Sequence, residues 1–338
     1  MKISQLYVYP IKSLRAISLP SAEVSKHGFL YDRRFMILKV LPSEDGSRSL
    51  KNMHVAYFPE MVRFFTKIEF PEDGDANNAK IIVTFDPPQG ESKTLNVPLV
   101  PFTAGLDTLD INMHGSPTKA YDMGAQYDDW LSSCFGYEVV LAYLGENKRP
   151  VLMSTNPTTK THTSQSWLSS ITSKLPMPSV LQGEKDEITF SDCSPYLIVS
   201  ETSLGDVSDR LPEGEEMDMT KFRPNIVVQG AETAWDEDYW GELTTGDTKL
   251  NLVHNCIRCQ SINIDYATGK PATGEQGKVL KKLQSDRRVD LGAKYKAVFG
   301  RYAFLEPGSA GRTIKVGDEV LVSRRNEERT KFDWPGLQ

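Results

Sequence analysis

Short stretches rich in β-branched and aromatic residues, separated by turns that contain Gly, Pro and Asp, fill the first hundred residues. This pattern predicts strands at residues 3–9, 16–25, 34–40, 62–70, 80–85 and 94–97. One helix follows, which Asp122 can cap, in which Tyr127, Trp130 and Cys134 recur at helical spacing, and which Gly136 ends. Many short strands with few helices favour a barrel or a sandwich, so we expect a β-rich fold of the α+β class.

The second half of the chain combines further short strands with one helix. Strands are predicted at residues 188–190, 195–199, 225–229, 249–253, 261–265, 302–305, 313–316 and 319–322, and a helix capped by Ser200 at 201–211. Between the halves the composition shifts to Ser, Thr, Pro and Lys, with a short helix near Trp167. We therefore expect a domain at 1–145, a linker or lid at 146–187, a second domain at 188–325 and a C-terminal surface strap at 326–338.

Charge and motifs exclude several classes of function. The net charge is −6 and no basic run occurs, which argues against a general nucleic-acid binder. The sequence contains no glycine-rich dinucleotide loop, P-loop, serine nucleophile elbow or His-Glu-x-x-His motif. No stretch approaches the roughly 18 apolar residues of a membrane span, and the first residues lack a signal peptide core. We therefore expect a cytoplasmic protein.

Cys256 and Cys259 lie three residues apart among four cysteines in the whole chain. A structural zinc site would need two further ligands, and the five histidines show no paired spacing. A dithiol pair would precede a helix, whereas the residues after Cys259 alternate like a strand. The residues alone leave open a thiolate ligand favoured by Arg258 or two buried cysteines without a role.

Cationic and polar side chains follow or precede several predicted strands. Lys12 and Ser13 follow the first strand, Arg33 and Arg34 open the third, and Arg223 precedes another. Such residues are usually solvated, but if they converge they form an anion site. The run Ser191-Asp192-Cys193-Ser194-Pro195-Tyr196 is either a turn that bonds its own backbone or a loop that lines a pocket.

These motifs, taken in order, resemble the MOSC-domain family. Two motifs resemble the start of the MOSC N-terminal β-barrel domain: Tyr9-Pro10-Ile11-Lys12-Ser13 and Asp32-Arg33-Arg34-Phe35-Met36. Four more occur in MOSC-domain order: the run at 191–196, Phe222-Arg223-Pro224-Asn225-Ile226, Cys256-x-Arg258-Cys259 and Ile314-Lys315-Val316-Gly317-Asp318. Within the family the chain is most similar to the amidoxime-reducing components. The resemblance implies a MOSC β-barrel domain packed with an N-terminal β-barrel-type domain and a few peripheral helices.

The resemblance also implies a molybdenum–molybdopterin cofactor. Cys259 matches the cysteine that ligates the metal, and a soft thiolate suits such a centre. The phosphate contacts of the family map onto Lys12, Ser13 and Arg34. Further cofactor-contacting positions match Ser191, Asp192, Cys193, Arg223, Ile257, Arg258 and Tyr302, with Asn225 fixing the backbone near Arg223. By the same matching Cys256 is a neighbour of the metal site.

The activity implied is reduction of N-oxygenated compounds such as amidoximes and N-hydroxylated bases. Asp192 is the expected proton donor or relay. Electrons would come from a b5-type cytochrome and its flavin reductase, because the chain carries no redox fingerprint of its own. The alternative is a molybdenum-cofactor carrier or sulfur-transfer protein that uses Cys259. The family also suggests pyridoxal phosphate binding, and a mitochondrial outer-membrane location if an N-terminal anchor is missing.

Overall fold

The computed structural model describes residues 1–42, 49–155 and 186–337, which form mainly β-structure. The strands are β1 (Lys2–Val8), β2 (Ile17–Leu19), β3 (Ser21–Ser25), β4 (Gly28–Phe29), β5 (Phe35–Leu41), β6 (Ser49–Asn52), β7 (Phe64–Glu69), β8 (Lys80–Phe85), β9 (Lys93–Pro98), β10 (Thr108–Met113), β11 (Ser116–Asp122), β12 (Val139–Tyr143), β13 (Arg149–Pro150), β14 (Glu187–Ile188), β15 (Tyr196–Ser200), β16 (Ile226–Gln229), β17 (Trp240–Thr245), β18 (Thr248–Ile257), β19 (Ile264–Asp265), β20 (Lys270–Pro271), β21 (Val298–Leu305), β22 (Thr313–Lys315) and β23 (Leu321–Arg325). The α-helices are α1 (Ala125–Phe135), α2 (Glu201–Ser208) and α3 (Val279–Asp286).

An eight-stranded sheet has the order β2-β1-β16-β15-β21-β18-β17-β23. The first strand of the chain therefore pairs with a strand from the second half, β16, with Leu6 opposite Ile226. Strands β15 and β21 are buried along their whole length, as expected for central strands covered on both faces. Gly300, with φ of +78°, lies where these two strands approach, and a Cβ there would lie 2.8 Å from the Ile198 carbonyl oxygen.

Two further sheets enclose the core of the N-terminal region. One has the order β10-β11-β12-β5-β6 and the other the order β7-β8-β9. Their inward side chains, among them Phe35, Phe64, Val83 and Leu141, pack into one cluster with Leu131 of α1. Together they form a nearly closed barrel. The predicted β-rich α+β fold with few helices is confirmed.

Several elements lie within a few residues of the positions predicted from the sequence, and others do not. The predicted strand at 16–25 is divided at Pro20, because proline cannot donate a ladder hydrogen bond. The predicted strand at 261–265 is wrong over most of its length: a 3-10 helix, Gln260–Asn263, follows Cys259 and leaves only β19 extended. Helix α1 begins after Gly124 instead of Asp122, and it ends at Gly136 as predicted.

The predicted linker or lid and the predicted C-terminal strap lie outside these sheets. The helix predicted near Trp167 and most of the predicted linker or lid lie outside the described residues. The C-terminal strap is not confined to the surface, because Phe332 and Trp334 are fully buried. The Trp334 indole Nε1 donates a 2.8 Å hydrogen bond to the His114 carbonyl oxygen. No helix formed by residues 1–42, 49–155 or 186–337 has the length and apolar character to cross a membrane.

Candidate functional site

A cleft of about 760 Å³ opens where loops from both halves of the chain meet. We use "the cleft" for the space lined by the segment after β1, the turn after β6, the β10–β11 hairpin, the loop before β15, the segment before β16 and the end of β18. Most of the predicted site residues line it: Lys12, Ser13, Ser191, Asp192, Arg223, Asn225, Ile257, Arg258, Cys259 and Tyr302. Three of the four scattered cations of the sequence, Lys12, Arg33 and Arg223, therefore converge on one site.

Cys259 presents a free, exposed thiol to the cleft directly after β18. Beyond the strand the Arg258 backbone N–H still donates to the Ala297 carbonyl oxygen at 2.8 Å, and the chain then turns into a 3-10 helix. The Cys259 Sγ lies 3.3 Å from the Ser261 Oγ. Cys256 differs, because it is buried and burial raises the pKa of its thiol. The thiol of the pair that a ligand can reach is therefore Cys259.

The Arg258 guanidinium fixes the backbone of the cleft wall. Its Nε and Nη2 donate to the Phe299 carbonyl oxygen at 3.0 and 2.6 Å, and its Nη1 donates to the Phe222 carbonyl oxygen at 2.8 Å. The guanidinium carbon lies 5.2 Å from the centroid of the Phe222 ring and 5.6 Å from the centroid of the Phe299 ring. Arg258 thus holds the segment before Cys259 against β21 and the segment before β16.

Lys12 and Asp192 form an ion pair across the cleft. Lys12 is only 6% exposed, and its Nζ donates to the Asp192 Oδ1 at 2.5 Å and to the Phe190 carbonyl oxygen at 3.1 Å. Burial lowers the pKa of Lys12 despite the attraction of Asp192. Burial opposes ionisation of Asp192 as well, but Lys12 and His114 outweigh it and hold the pKa of that carboxyl well below its usual range. Asp192 is therefore a carboxylate at neutral pH.

Arg33 and Arg223 both lie against the ring of the buried Tyr9. Their guanidinium carbons are 4.5 and 4.4 Å from the Tyr9 ring centroid. Arg33 Nη2 also donates to the Arg223 carbonyl oxygen at 3.0 Å, and Arg223 Nη1 donates to the Leu14 carbonyl oxygen at 2.9 Å. Two cations from opposite halves of the chain are thereby held together on one aromatic ring beside the cleft.

Asn225 joins the elements that carry these cations. Its Nδ2 donates to the Tyr7 carbonyl oxygen and to Asp32 Oδ2, each at 3.2 Å. Its Oδ1 accepts from the Leu197 N–H at 3.2 Å and from Arg33 Nη1 at 3.1 Å. The amide thus fixes β1, the Asp32 turn and β15 relative to one another, a broader role than support of Arg223.

Two predicted residues do not line the cleft. The structure places Arg34 elsewhere, because Arg33 adopts a left-handed conformation with φ of +50° that turns the next side chain away. Arg34 bonds the Gly145 carbonyl oxygen and lies 5.9 Å from the Tyr143 ring centroid, while Arg33 lines the cleft. Cys193 is 1% exposed and packs in the core, where burial raises the pKa of its thiol well above the usual range.

Three further residues belong to the site although no sequence motif indicated them. Arg149 is fully buried and its Nη2 donates to the carbonyl oxygens of Ser191 and Asp192, both at 3.2 Å. His54 and His114 line the cleft with stacked rings whose centroids are 5.9 Å apart. Isolated residues outside any motif carry no spacing signal, so these could be found only from the structure.

Polar groups in the cleft wall remain available to a ligand. Ser191 Oγ is buried and has no hydrogen-bond partner within the described part of the chain. Buried polar atoms are normally satisfied, so such an atom in a cationic cleft is what a bound polar molecule would complete. Over the same residues, no group of three or more His, Cys, Asp and Glu side chains is arranged to hold a metal ion.

Two family models match the chain. The model described as the MOSC N-terminal beta barrel domain matches residues 1–138, and the model described as the MOSC domain matches residues 185–321. The chain belongs to the MOSC-domain family, in the form that carries the N-terminal barrel.

The chain is also similar to individual proteins over most of its length. The chain is 29% identical over 330 residues to "Mitochondrial amidoxime-reducing component 1" of Mus musculus, covering 95% of this chain and 82% of that protein. The Homo sapiens protein of the same name is 29% identical over 331 residues with the same coverage. "Molybdenum cofactor sulfurase" of Oryza sativa subsp. japonica is 24% identical over 335 residues, which are 95% of this chain and 35% of that protein.

Proposed function

We propose that this protein reduces N-oxygenated compounds, such as amidoximes and N-hydroxylated bases, with a molybdenum–molybdopterin cofactor. The observation that supports this most directly is the exposed thiol of Cys259 in the same cleft as the buried cations Lys12, Arg33 and Arg258. A soft thiolate and clustered cations are the ligand set that a dithiolene-bound metal and a phosphate group need. The similarity to two proteins named amidoxime-reducing components agrees with it.

The residues in the cleft fit this cofactor. Cys259 would ligate the metal, and Lys12, Arg33 and Arg223 would hold the phosphate and pterin, with the Ser13 and Ser191 hydroxyls as hydrogen-bond partners. When bound, the cofactor would supply two-electron redox chemistry at the N–O bond. Pyridoxal phosphate, which the resemblance alone suggested, is not part of this proposal.

The side chains of the cleft would orient the substrate and exclude water from the reacting bond. The Asp192 carboxylate offers an acceptor for the N–H groups of an amidoxime, and Lys12 prevents it from turning away. Leu197, Ile257 and Leu337 contribute apolar wall that excludes water around the reacting bond. An amidoxime takes up two electrons and two protons, its N–O bond breaks, and an amidine and water leave.

The electrons would come from outside the chain. The sequence has four cysteines and no flavin or nicotinamide fingerprint. We therefore propose a b5-type cytochrome with its flavin reductase as the donor system.

A second candidate function is that of a molybdenum-cofactor carrier or sulfur-transfer protein. The exposure of Cys259 favours this candidate too, because an accessible thiol can also carry a persulfide sulfur. The similarity to a protein named molybdenum cofactor sulfurase points the same way.

The decisive experiment measures turnover of benzamidoxime by the molybdenum-loaded protein with chemically reduced methyl viologen as donor. We expect benzamidine to form only when both the metal and the donor are present. Protein that holds stoichiometric molybdenum and pterin but forms no benzamidine would contradict the reductase and favour the carrier. Persulfide sulfur on Cys259, detected by mass spectrometry after incubation with a sulfur donor, would identify the second candidate directly.

A further inference from the structure

We propose that His114 is the catalytic residue that delivers the proton to the leaving oxygen, with Asp192 as its positioning partner. This inference rests on the proposed reductase function and assigns a role that the sequence had predicted for Asp192. The geometry that supports it is a chain of contacts that runs from the C-terminal strap through His114 to Asp192 inside the cleft.

His114 contacts the carboxylate that Lys12 also holds. Its Nε2 lies 3.5 Å from Asp192 Oδ1, the same oxygen that accepts from Lys12 Nζ. The Asp192 carboxylate is therefore fixed by two cationic or potentially cationic groups from different elements. A carboxylate at this distance from a ring nitrogen orients an imidazole, as in other acid–base pairs.

The backbone holds His114 in a conformation that few residues adopt. His114 and Gly115 form the two-residue turn of the β10–β11 hairpin, with φ of +57° and +78°. Such turns favour Asn-Gly, and a histidine there is strained by about 1 kcal/mol. The bond from the Trp334 indole to the His114 carbonyl oxygen fixes the turn against the strap. Non-glycine residues with positive φ that are fixed in this way occur often at active sites.

Several other titratable groups interact with Asp192: Lys12, Arg33, His54, Arg149, Cys193, Cys256 and Tyr302. Burial raises the pKa of the two thiols and of the Tyr302 hydroxyl. Burial and the charge of Lys12 lower the pKa of His54 to about 4, so its ring is neutral. Arg33 and Arg149 remain charged, and Lys12 uses its ammonium to hold Asp192 and the Phe190 carbonyl oxygen. His114 is the remaining side chain that contacts Asp192 and lines the cleft with a ring able to pass a proton.

Cleavage of the N–O bond consumes two electrons from the external donor and two protons. The substrate N–O bond breaks as two electrons arrive from the external donor, and the nitrogen is reduced. One proton passes from the His114 imidazolium to the departing hydroxyl, which leaves as water, and a second proton from solvent goes to the reduced nitrogen. Solvent at the mouth of the cleft then returns a proton to His114. General acids of this kind contribute about 10²–10⁴-fold to turnover.

His114→Asn tests this role in the loaded enzyme. Because Asn-Gly is the preferred sequence for this turn, we expect the variant to fold and to retain its molybdenum and pterin. We expect kcat to fall by about 10²-fold with little change in KM, to lose its dependence on pH across the range of histidine titration, and to recover in part with added imidazole. His27→Asn, on the turn between β3 and β4 outside the cleft, is the matched control and should behave as wild type.

A second readout needs no cofactor. In the apoprotein the ring nitrogen resonances of His114, identified by their loss in His114→Asn, should move on Asp192→Asn. They should not move on Asp110→Asn, which changes an exposed carboxylate on the same hairpin. Unmoved resonances in Asp192→Asn would overturn the pairing.

Three outcomes decide the role of His114. Wild-type kcat and pH dependence in His114→Asn would overturn it while leaving the reductase intact. A loss of kcat that imidazole does not restore, together with lost molybdenum, would overturn it in favour of a structural role. Absence of turnover in loaded wild type would instead contradict the reductase itself, and the apoprotein resonances would still report whether His114 and Asp192 are paired.

Discussion

The Oδ1 of Asn225 accepts a hydrogen bond of 3.1 Å from Nη1 of Arg33, a residue 192 positions earlier in the chain. The bond connects the turn before β5, in the N-terminal region, with the start of β16. Because Arg33 also lies on the Tyr9 ring and lines the cleft, the amide of Asn225 fixes a cation of the candidate site from the other half of the chain.

Replacing Asn225 by Ala should destabilise the protein by about 3 kcal/mol, because it leaves the buried partners of its amide, including Asp32 and the Leu197 N–H, without this bond. Urea unfolding followed by fluorescence measures the change. Asn96→Ala, at an exposed position on β9, is the matched control and should change stability by less than about 0.5 kcal/mol. Equal stabilities of the two variants would contradict the linking role of Asn225.

Local sequence patterns were sufficient for many elements but not for their pairing. The alternation at residues 80–85 reproduced β8, and the apolar stripe before Gly136 reproduced most of α1. Nothing local could show that β1 leaves the N-terminal region to pair with β16, since such a pairing depends on contacts more than 200 residues apart. The strand predicted after Cys259 failed because residues Gln260–Asn263 bury Ile262 from a 3-10 helix, which a short alternation of apolar and polar residues does not distinguish from a strand.

Protonation of His54 should weaken the fold in mild acid. Burial and Lys12 lower its pKa to about 4 in the folded protein, below the ordinary value of about 6.5. As the pH falls from about 6.5 towards about 4, the unfolded chain gains a proton that the folded protein resists, so stability is present above this range and is lost within it. The loss is at most about 3 kcal/mol. His54→Gln should therefore show a smaller decrease in unfolding free energy over this range than wild type, measured by urea titration at each pH. Parallel curves would contradict the assignment.

Loss of the Trp334 indole N–H should loosen the hairpin tip. Trp334→Phe keeps the buried ring but removes the hydrogen bond to the His114 carbonyl oxygen, so we expect faster amide exchange at Gly115 and Ser116. Trp240→Phe removes an indole bond to Asp236 Oδ2, also 2.8 Å long, in another core cluster. Both variants should lose about 1 kcal/mol of stability. Exchange at the hairpin that is unchanged in Trp334→Phe, or equally fast in both, would contradict an anchoring role of the strap.

The composition of the candidate site was only partly predictable. Motif residues such as Lys12, Asp192 and Arg223 could be proposed because their neighbours form recognisable runs, and the structure brings them into one cleft. The placement of Arg33 instead of Arg34 depends on one left-handed residue, which no alternation rule predicts. His114 reaches the cleft through a strained hairpin turn, and no motif surrounds it.

The most direct test that Cys259 ligates the metal compares molybdenum content and benzamidoxime reduction in two cysteine variants. Cys259→Ala removes the exposed thiol of the cleft, whereas Cys134→Ala removes a half-buried thiol on α1. With a chemical reductant as donor, we predict that Cys134→Ala matches wild type in both measurements. Cys259→Ala should lose turnover by at least about 10³-fold, since the metal loses its protein ligand. Turnover at the wild-type rate in molybdenum-loaded Cys259→Ala would contradict the assignment of Cys259 as the ligand and, with it, the proposed active site.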